Sequence, residues 1–151
     1  MRIGIDAKFF GAKDRGIGRY VENLIRNLEK IDGENQYIVF LGKERWNDYQ
    51  SENPNFSKAP FKDFKKYNLD LMHFTYFKAP IFYKGKFIVT IHDLIFSHIG
   101  FLKRIAYKII LKSALKRAEK IIAVSEFTKK EILRKYHINP DEIKVIYEGV
   151  S

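Results

Sequence analysis

Cysteine is absent from the 151 residues, which excludes disulfides and thiolate metal sites and fits a reducing compartment. No stretch approaches the roughly 20 consecutive apolar residues needed to cross a bilayer. The most apolar late segment, 101–115, is broken by Lys103, Arg104, Lys108 and Lys112, so membrane contact is expected to be peripheral. The chain runs from Met1 straight into the alternation Ile3, Ile5, without the apolar region or small-residue cleavage site of a secretory signal. No export is expected, and the cytosol is the default location, with the inner face of the membrane as its peripheral extension. Repeats and low-complexity tracts are missing too. No segment is both highly charged and poor in hydrophobes, so the whole chain is expected to fold.

The apolar fraction is 46% and the length is that of one ordinary domain, so a single domain over 1–151 is expected. Lys and Arg number 28 against 18 Asp and Glu, a formal charge of +10. A field of that sign attracts phosphate-bearing partners without choosing among nucleotide, nucleic acid and anionic lipid. Nucleic acid has no motif to aim it: the sequence carries no RNP-type aromatics, zinc-finger spacing or helix-turn-helix pattern.

Strand and helix signals alternate. Residues 2–6 read as a strand, 7–15 as a polar glycine-containing loop, and 17–31 as a helix whose Tyr20/Val21, Leu24/Ile25 and Leu28 form one buried stripe. Asp32 and Gly33 end it. A continuous apolar strand follows at 36–41. Residues 43–68 carry the only tryptophan and two of the four prolines without clear periodicity, so a partly ordered excursion with one helical turn is expected there. Further strands are predicted at 69–74, 86–91, 121–124 and 143–147. A long amphipathic helix is predicted at 101–120, with Leu102, Ile105/Ala106, Ile109/Ile110 and Leu115 as its apolar positions. A shorter one at 126–136 has Ser125 as its N-cap. This order implies an α/β fold with a doubly wound, mainly parallel sheet and helices on both faces.

In such sheets ligands bind outside the carboxyl ends of the strands. What ends the predicted strands is polar: Asp6, Thr75-Tyr76, His92-Asp93, Ser125-Glu126 and Glu148-Gly149. The loop after the first strand, from Gly11 through Gly16 and Gly18, offers backbone amides and a helix N-terminus to an anion. Its spacing is neither the dinucleotide fingerprint nor the Walker A loop. Glycine-rich turns of this kind are also common without any ligand, so both readings stay open at this point. The same holds for His92, which ends a strand where an imidazole can donate or accept hydrogen bonds, but which equally suits a satisfied structural histidine. No metal site is expected, because His73, His98 and His137 do not form ligand spacing with it. Arg104, Lys108, Lys112, Lys116 and Lys120 recur every fourth residue, and no acidic residue occurs in 101–118. The stripe reads either as a solvated face or as an interfacial helix whose cations meet acidic lipid.

Four segments in order carry a resemblance. They are Arg2-Ile-Gly-Ile-Asp6 with Gly16-Ile-Gly-Arg-Tyr20, then Thr90-Ile-His-Asp-Leu94, then 118–128 (Ala-Glu-Lys-Ile-Ile-Ala-Val-Ser-Glu-Phe-Thr), then 144–150 (Lys-Val-Ile-Tyr-Glu-Gly-Val). Together they resemble the N-terminal, acceptor-side domain of group 1 (GT4-like) glycosyltransferases of the GT-B fold. The resemblance implies a Rossmann-like half that faces a second, C-terminal donor-binding domain across a cleft. It implies sugar transfer from a nucleotide-sugar substrate to a glycan or lipid-linked acceptor, retaining anomeric configuration, with no metal or other cofactor. By resemblance Gly16 and Gly18 approach the donor diphosphate, and His92 is the catalytic-centre residue beside the transferred sugar or acceptor hydroxyl. Asp93, Ser125, Glu126 and Glu148 line or support the cleft. The sequence ends at Ser151 without the donor-binding domain, which is expected in cis or as a separate chain; alone, the chain is expected to be inactive and to bind nucleotide-sugar weakly. The alternative is a non-catalytic binding module of the same fold acting at an anionic membrane surface through Arg104, Lys108, Lys112 and Lys116.

Overall fold

The computed structural model describes residues 1–94 and 100–149; His98 and Val150, which enter the sequence argument, lie outside the described residues. The chain divides into two compact units, Met1–Thr75 and Tyr76–Ser151.

In the first unit, β1 (Arg2–Ala7), α1 (Arg15–Ile31), β2 (Gln36–Leu41), β3 (Phe56–Pro60) and β4 (Leu71–Phe74) follow one another along the chain. The strands lie in the order β3-β2-β1-β4, and every pair is parallel. The winding therefore starts outward on one side of β1 and then reverses to place β4 on its other side, which makes the β1/β4 border a topological switch point. Ile5, Ala7, Val39 and Leu41 alternate onto the sheet face that receives Val21 and Ile25 of α1, with Ile17, Tyr20 and Leu28 packed at the margin. Of the stripe expected on this helix, Val21 and Ile25 are buried and Tyr20 and Leu28 pack at the margin, while Leu24 is not part of this cluster. Aromatic rings from the remaining positions form a second cluster, with Phe40 edge-on to Phe64 and Tyr67, and Phe64 edge-on to Phe74.

The second unit contains β5 (Phe87–Ile91), α2 (Phe101–Arg117), β6 (Lys120–Ala123), α3 (Glu126–Lys135) and β7 (Ile143–Val145), with strand order β5-β6-β7, again parallel. Ile91, Ala123 and Val145 share one row of the register, so the three strands end level and release their following residues at one edge. Both units are thus parallel α/β structures of the Rossmann-like class expected from the sequence.

Two local expectations need correction. The 43–68 excursion contains the strand β3 and two 3-10 turns, Lys43–Arg45 and Phe61–Lys66. β3 is an edge strand among the described pairings, bonded to β2 alone, and reads Phe-Ser-Lys-Ala-Pro. A proline that would break a central strand is tolerated at the end of an edge strand, and only Phe56 and Ala59 point into the core. In α2 the buried residues are Leu111, Ala114 and Leu115. Leu102, Ile105 and Ile109, expected to face inward, are 79%, 42% and 56% exposed. Apolar residues occur all round this helix, so periodicity alone could not tell which of them pack.

Candidate functional site

β5 is an apolar run buried at Phe87, Val89, Thr90 and Ile91, and His92 is the first residue past its end. Its backbone carbonyl accepts a hydrogen bond from Thr128 Oγ1 at 3.1 Å. Thr128 belongs to the first turn of α3, where its backbone N–H donates to Ser125 Oγ at 3.0 Å and the two hydroxyls lie 3.0 Å apart. Ser125 is therefore the N-cap of α3, as expected. The same contacts tie the start of α3 to the end of β5. The His92 ring meets Glu148, with Nδ1 2.6 Å from Oε1, and lies 6.5 Å from the Tyr76 ring. Glu148 reaches this point because it follows β7, whose pairing continues past Val145 through Ile146 N–H to Ala123 O.

Charge and burial divide the roles at this edge. Burial, with the nearby Asp93 and Tyr107 as lesser causes, pushes the Tyr76 phenol up to about 12, so it stays a neutral hydroxyl at physiological pH. Tyr107 shifts the other way, because Lys78 Nζ donates to its hydroxyl at 2.8 Å. Asp93 is exposed, and Glu126 sits exposed in the first turn of α3. Among the cleft residues suggested by the sequence, His92, Ser125 and Glu148 are thus drawn into one bonded group, with Asp93 and Glu126 beside it in the chain. Thr128 completes the group and was given no role in the sequence reading; Tyr76, named there only as a strand end, has its ring 6.5 Å from His92. A threonine three residues after an N-capping serine was the available signal for the first, and an aromatic residue at a strand terminus for the second.

The glycine loop belongs to the first unit. Gly11 has φ 84 and donates its N–H to Gly18 O at 3.0 Å, while Asp14 N–H donates to Gly11 O at 3.1 Å. Asp14 also accepts from Phe10 N–H at 3.1 Å and from Arg45 at 2.6 and 3.0 Å. The hydrogen bonds from Arg45 hold the Asp14 carboxyl below the usual range. No side chain caps α1; the Arg15 N–H donates to Ala12 O, and the amides of Gly16 and Ile17 in the first turn keep the arrangement in which a helix N-terminus receives an anion. Arg15, with φ 55 and ψ −137, occupies a glycine-favouring conformation that costs on the order of 1–3 kcal/mol. Asp6, next to last in β1, is a buried carboxyl group. It is held by Lys8 N–H at 3.1 Å and Lys8 Nζ at 3.2 Å, and burial raises its pKa despite the lysine. Thr75 Oγ1 donates to Asp6 O at 2.6 Å, tying the segment after β4 to β1 at the switch point.

Along α2, Lys108, Lys112 and Lys116 are exposed and have no ion pair among the described residues, whereas Arg104 is half-buried with its guanidinium 5.7 Å from the Phe101 ring. Arg104, Lys108 and Lys112 border a groove of about 670 Å³ lined also by Ile105, Ile109 and Tyr136. No helix among the described residues is long and apolar enough to cross a membrane.

A family model, Glycosyltransferase Family 4, matches residues 15–151. The match begins at the first residue of α1 and includes Gly16, Gly18, His92 and Glu148. No curated protein matches the chain.

Proposed function

The chain belongs to glycosyltransferase family 4, and from that premise we propose that it is the acceptor-side half of a retaining, metal-independent enzyme. The enzyme moves a sugar from a nucleotide-sugar to a glycan or lipid-linked acceptor, with a donor-binding half supplied in cis or by another chain. The observation that carries this reading is the bonded group at the end of β5: an imidazole at a strand terminus, fixed at its carbonyl by Thr128 and at Nδ1 by Glu148. Chemistry needs a polar side chain held in one orientation where ligands enter a parallel sheet. In the transfer, the acceptor oxygen bonds to the anomeric carbon as the bond to the diphosphate oxygen breaks. With retention both lie on one face of the sugar, so the departing phosphate oxygen is the nearest base for the acceptor proton. His92 holds a hydroxyl of the sugar or acceptor; in the first unit, taken by itself, the first turn of α1 at Gly16 suits an anionic phosphate.

The test is His92→Ala in enzyme assayed with its donor-binding half, measuring the denaturation midpoint and the single-turnover rate on one preparation. The expected result is a rate lower by about 10²-fold or more with a nearly unchanged midpoint. A variant that is markedly destabilised but turns over normally per folded molecule would remove His92 from the reaction centre.

A second reading, a binding module at an anionic membrane surface, is favoured by one observation. The exposed Leu102, Ile105 and Ile109 stand beside Lys108, Lys112 and Lys116 on α2, which have no ion pair among the described residues. Apolar insertion flanked by cations is the pattern of interfacial helices. Flotation with phosphatidylglycerol vesicles should show binding that weakens with salt and is lost when the three lysines become glutamate. Equal binding by the variant would end this reading.

A further inference from the structure

Glu148 invests nothing in the core. Its side chain is 40% exposed, while the His92 side chain it meets is only 11% exposed, and a hydrogen bond this open to water adds little to stability. Its closest described contact is nevertheless short and specific, Oε1 to Nδ1 at 2.6 Å across 56 residues of sequence. That contact depends on the level ending of β5, β6 and β7. A neutral imidazole has one N–H and one lone pair, and an ionised carboxylate can only accept. A carboxylate at Nδ1 therefore places the ring proton there and makes Nε2 the acceptor. The same bond orients the ring, and among the described residues the Tyr76 ring lies 6.5 Å from it. Thr128 separately holds the His92 backbone. Main chain and ring are thus fixed by different elements, α3 and the segment after β7.

We propose that Glu148 is a positioning residue for sugar transfer: it holds His92 in the Nδ1–H tautomer, so that Nε2 takes the hydrogen bond of a sugar or acceptor hydroxyl. This rests on the reading of His92 as part of the reaction centre. A hydroxyl is both donor and acceptor, so the wrong tautomer would not abolish binding. It would reverse the direction of the bond and change how electron density is drawn through the hydroxyl oxygen in the transition state. The effect therefore falls on turnover more than on KM.

The experiment combines imidazole ¹⁵N NMR on the chain with single-turnover and steady-state rates in enzyme carrying its donor-binding half, for the parent, Glu148→Ala and Glu148→Gln. Exposure of the side chain predicts that both variants keep the thermal midpoint. In the parent the neutral His92 ring should be mainly Nδ1–H. In Glu148→Ala the Nδ1–H to Nε2–H ratio should fall at least threefold and kcat about tenfold with little change in KM. Glu148→Gln retains an oxygen acceptor and should recover most of both. An unchanged tautomer ratio in Glu148→Ala overturns the proposal. So does a shifted ratio with unchanged kcat, provided His92→Ala is itself inactive. If His92→Ala is fully active, the reaction-centre reading fails instead, and the tautomer ratio identifies that case separately.

Discussion

A methyl group added at Gly18 would run into the Gly11 carbonyl oxygen and lie 2.7 Å from Asp14 Cβ, whereas one added at Gly16 would meet nothing within 4 Å. Gly18 is a glycine because the loop closes on it, and Gly16 has no such packing reason. Gly18→Ala should therefore cost about 1–3 kcal/mol through overpacking. Gly16→Ala should leave stability unchanged or raise it by up to about 1 kcal/mol, since alanine suits a helix better. If the Gly16 backbone approaches a diphosphate, Gly16→Ala should also weaken nucleotide-sugar binding at an unchanged melting temperature. Thermal melts and calorimetry on the two variants check both statements. In the sequence the two glycines look alike, because a one-letter code carries no distances. His92 was legible for a different reason: an apolar run ends there, and strand ends in parallel sheets are where side chains meet ligands. Its partner Glu148 could be listed as a polar strand-end residue, but no spacing rule connects positions 92 and 148. That pairing emerges only from the register of three strands.

Helix α1 and strands β1, β2 and β5 could be read because each follows one rule, a single stripe in α1, an alternation in β1 and a mostly apolar run in β2 and β5. The edge strand β3 obeys none, with two core positions in five and a terminal proline. Helix α2 obeys too many: Phe101, Leu102, Ile105, Tyr107, Ile109, Ile110, Leu111 and Leu115 together surround its axis, and only packing selects the inner face. That selection has a direct consequence. Leu111 is fully buried, so Leu111→Ala should cost about 2–5 kcal/mol. Ile105→Ser and Ile109→Ser, on the exposed side, should each stay within about 0.5 kcal/mol. Urea denaturation of the three variants gives the comparison. Losses of similar size at all three positions would mean that the helix buries the stripe its sequence first suggests.

Across the whole molecule the positive charge is unevenly matched by acids, and the acids that do find partners differ in how their pKa values move. Asp14 is lowered chiefly by hydrogen bonding from Arg45, Asp63 by hydrogen bonding from Lys66, and Glu131 by hydrogen bonding from Lys135. A carboxylate whose folded pKa lies below its unfolded one contributes stability above the unfolded value and loses it as pH falls through the folded value. For these groups the loss begins near 4.5 for Glu131 and 3.8 for Asp14 and Asp63, and it deepens below. Protonation also adds to a formal charge already at +10, so self-repulsion grows in the same window. Asp6 works in the opposite sense. Burial raises its pKa above 3.8, so the ionised form burdens the folded state, and the burden grows as pH rises from about 3.8 through the folded value. Asn at this position is neutral at every pH, and its amide oxygen can still accept from the Lys8 backbone N–H. The stability of Asp6→Asn relative to the parent should therefore increase between pH 3 and pH 7. Urea denaturation of both proteins at pH 3, 5 and 7 measures that difference. A difference that stays level or shrinks as pH rises would mean that Lys8, 3.2 Å from the carboxylate, outweighs the cost of burying it, and that the end of β1 is held by a net favourable ion pair.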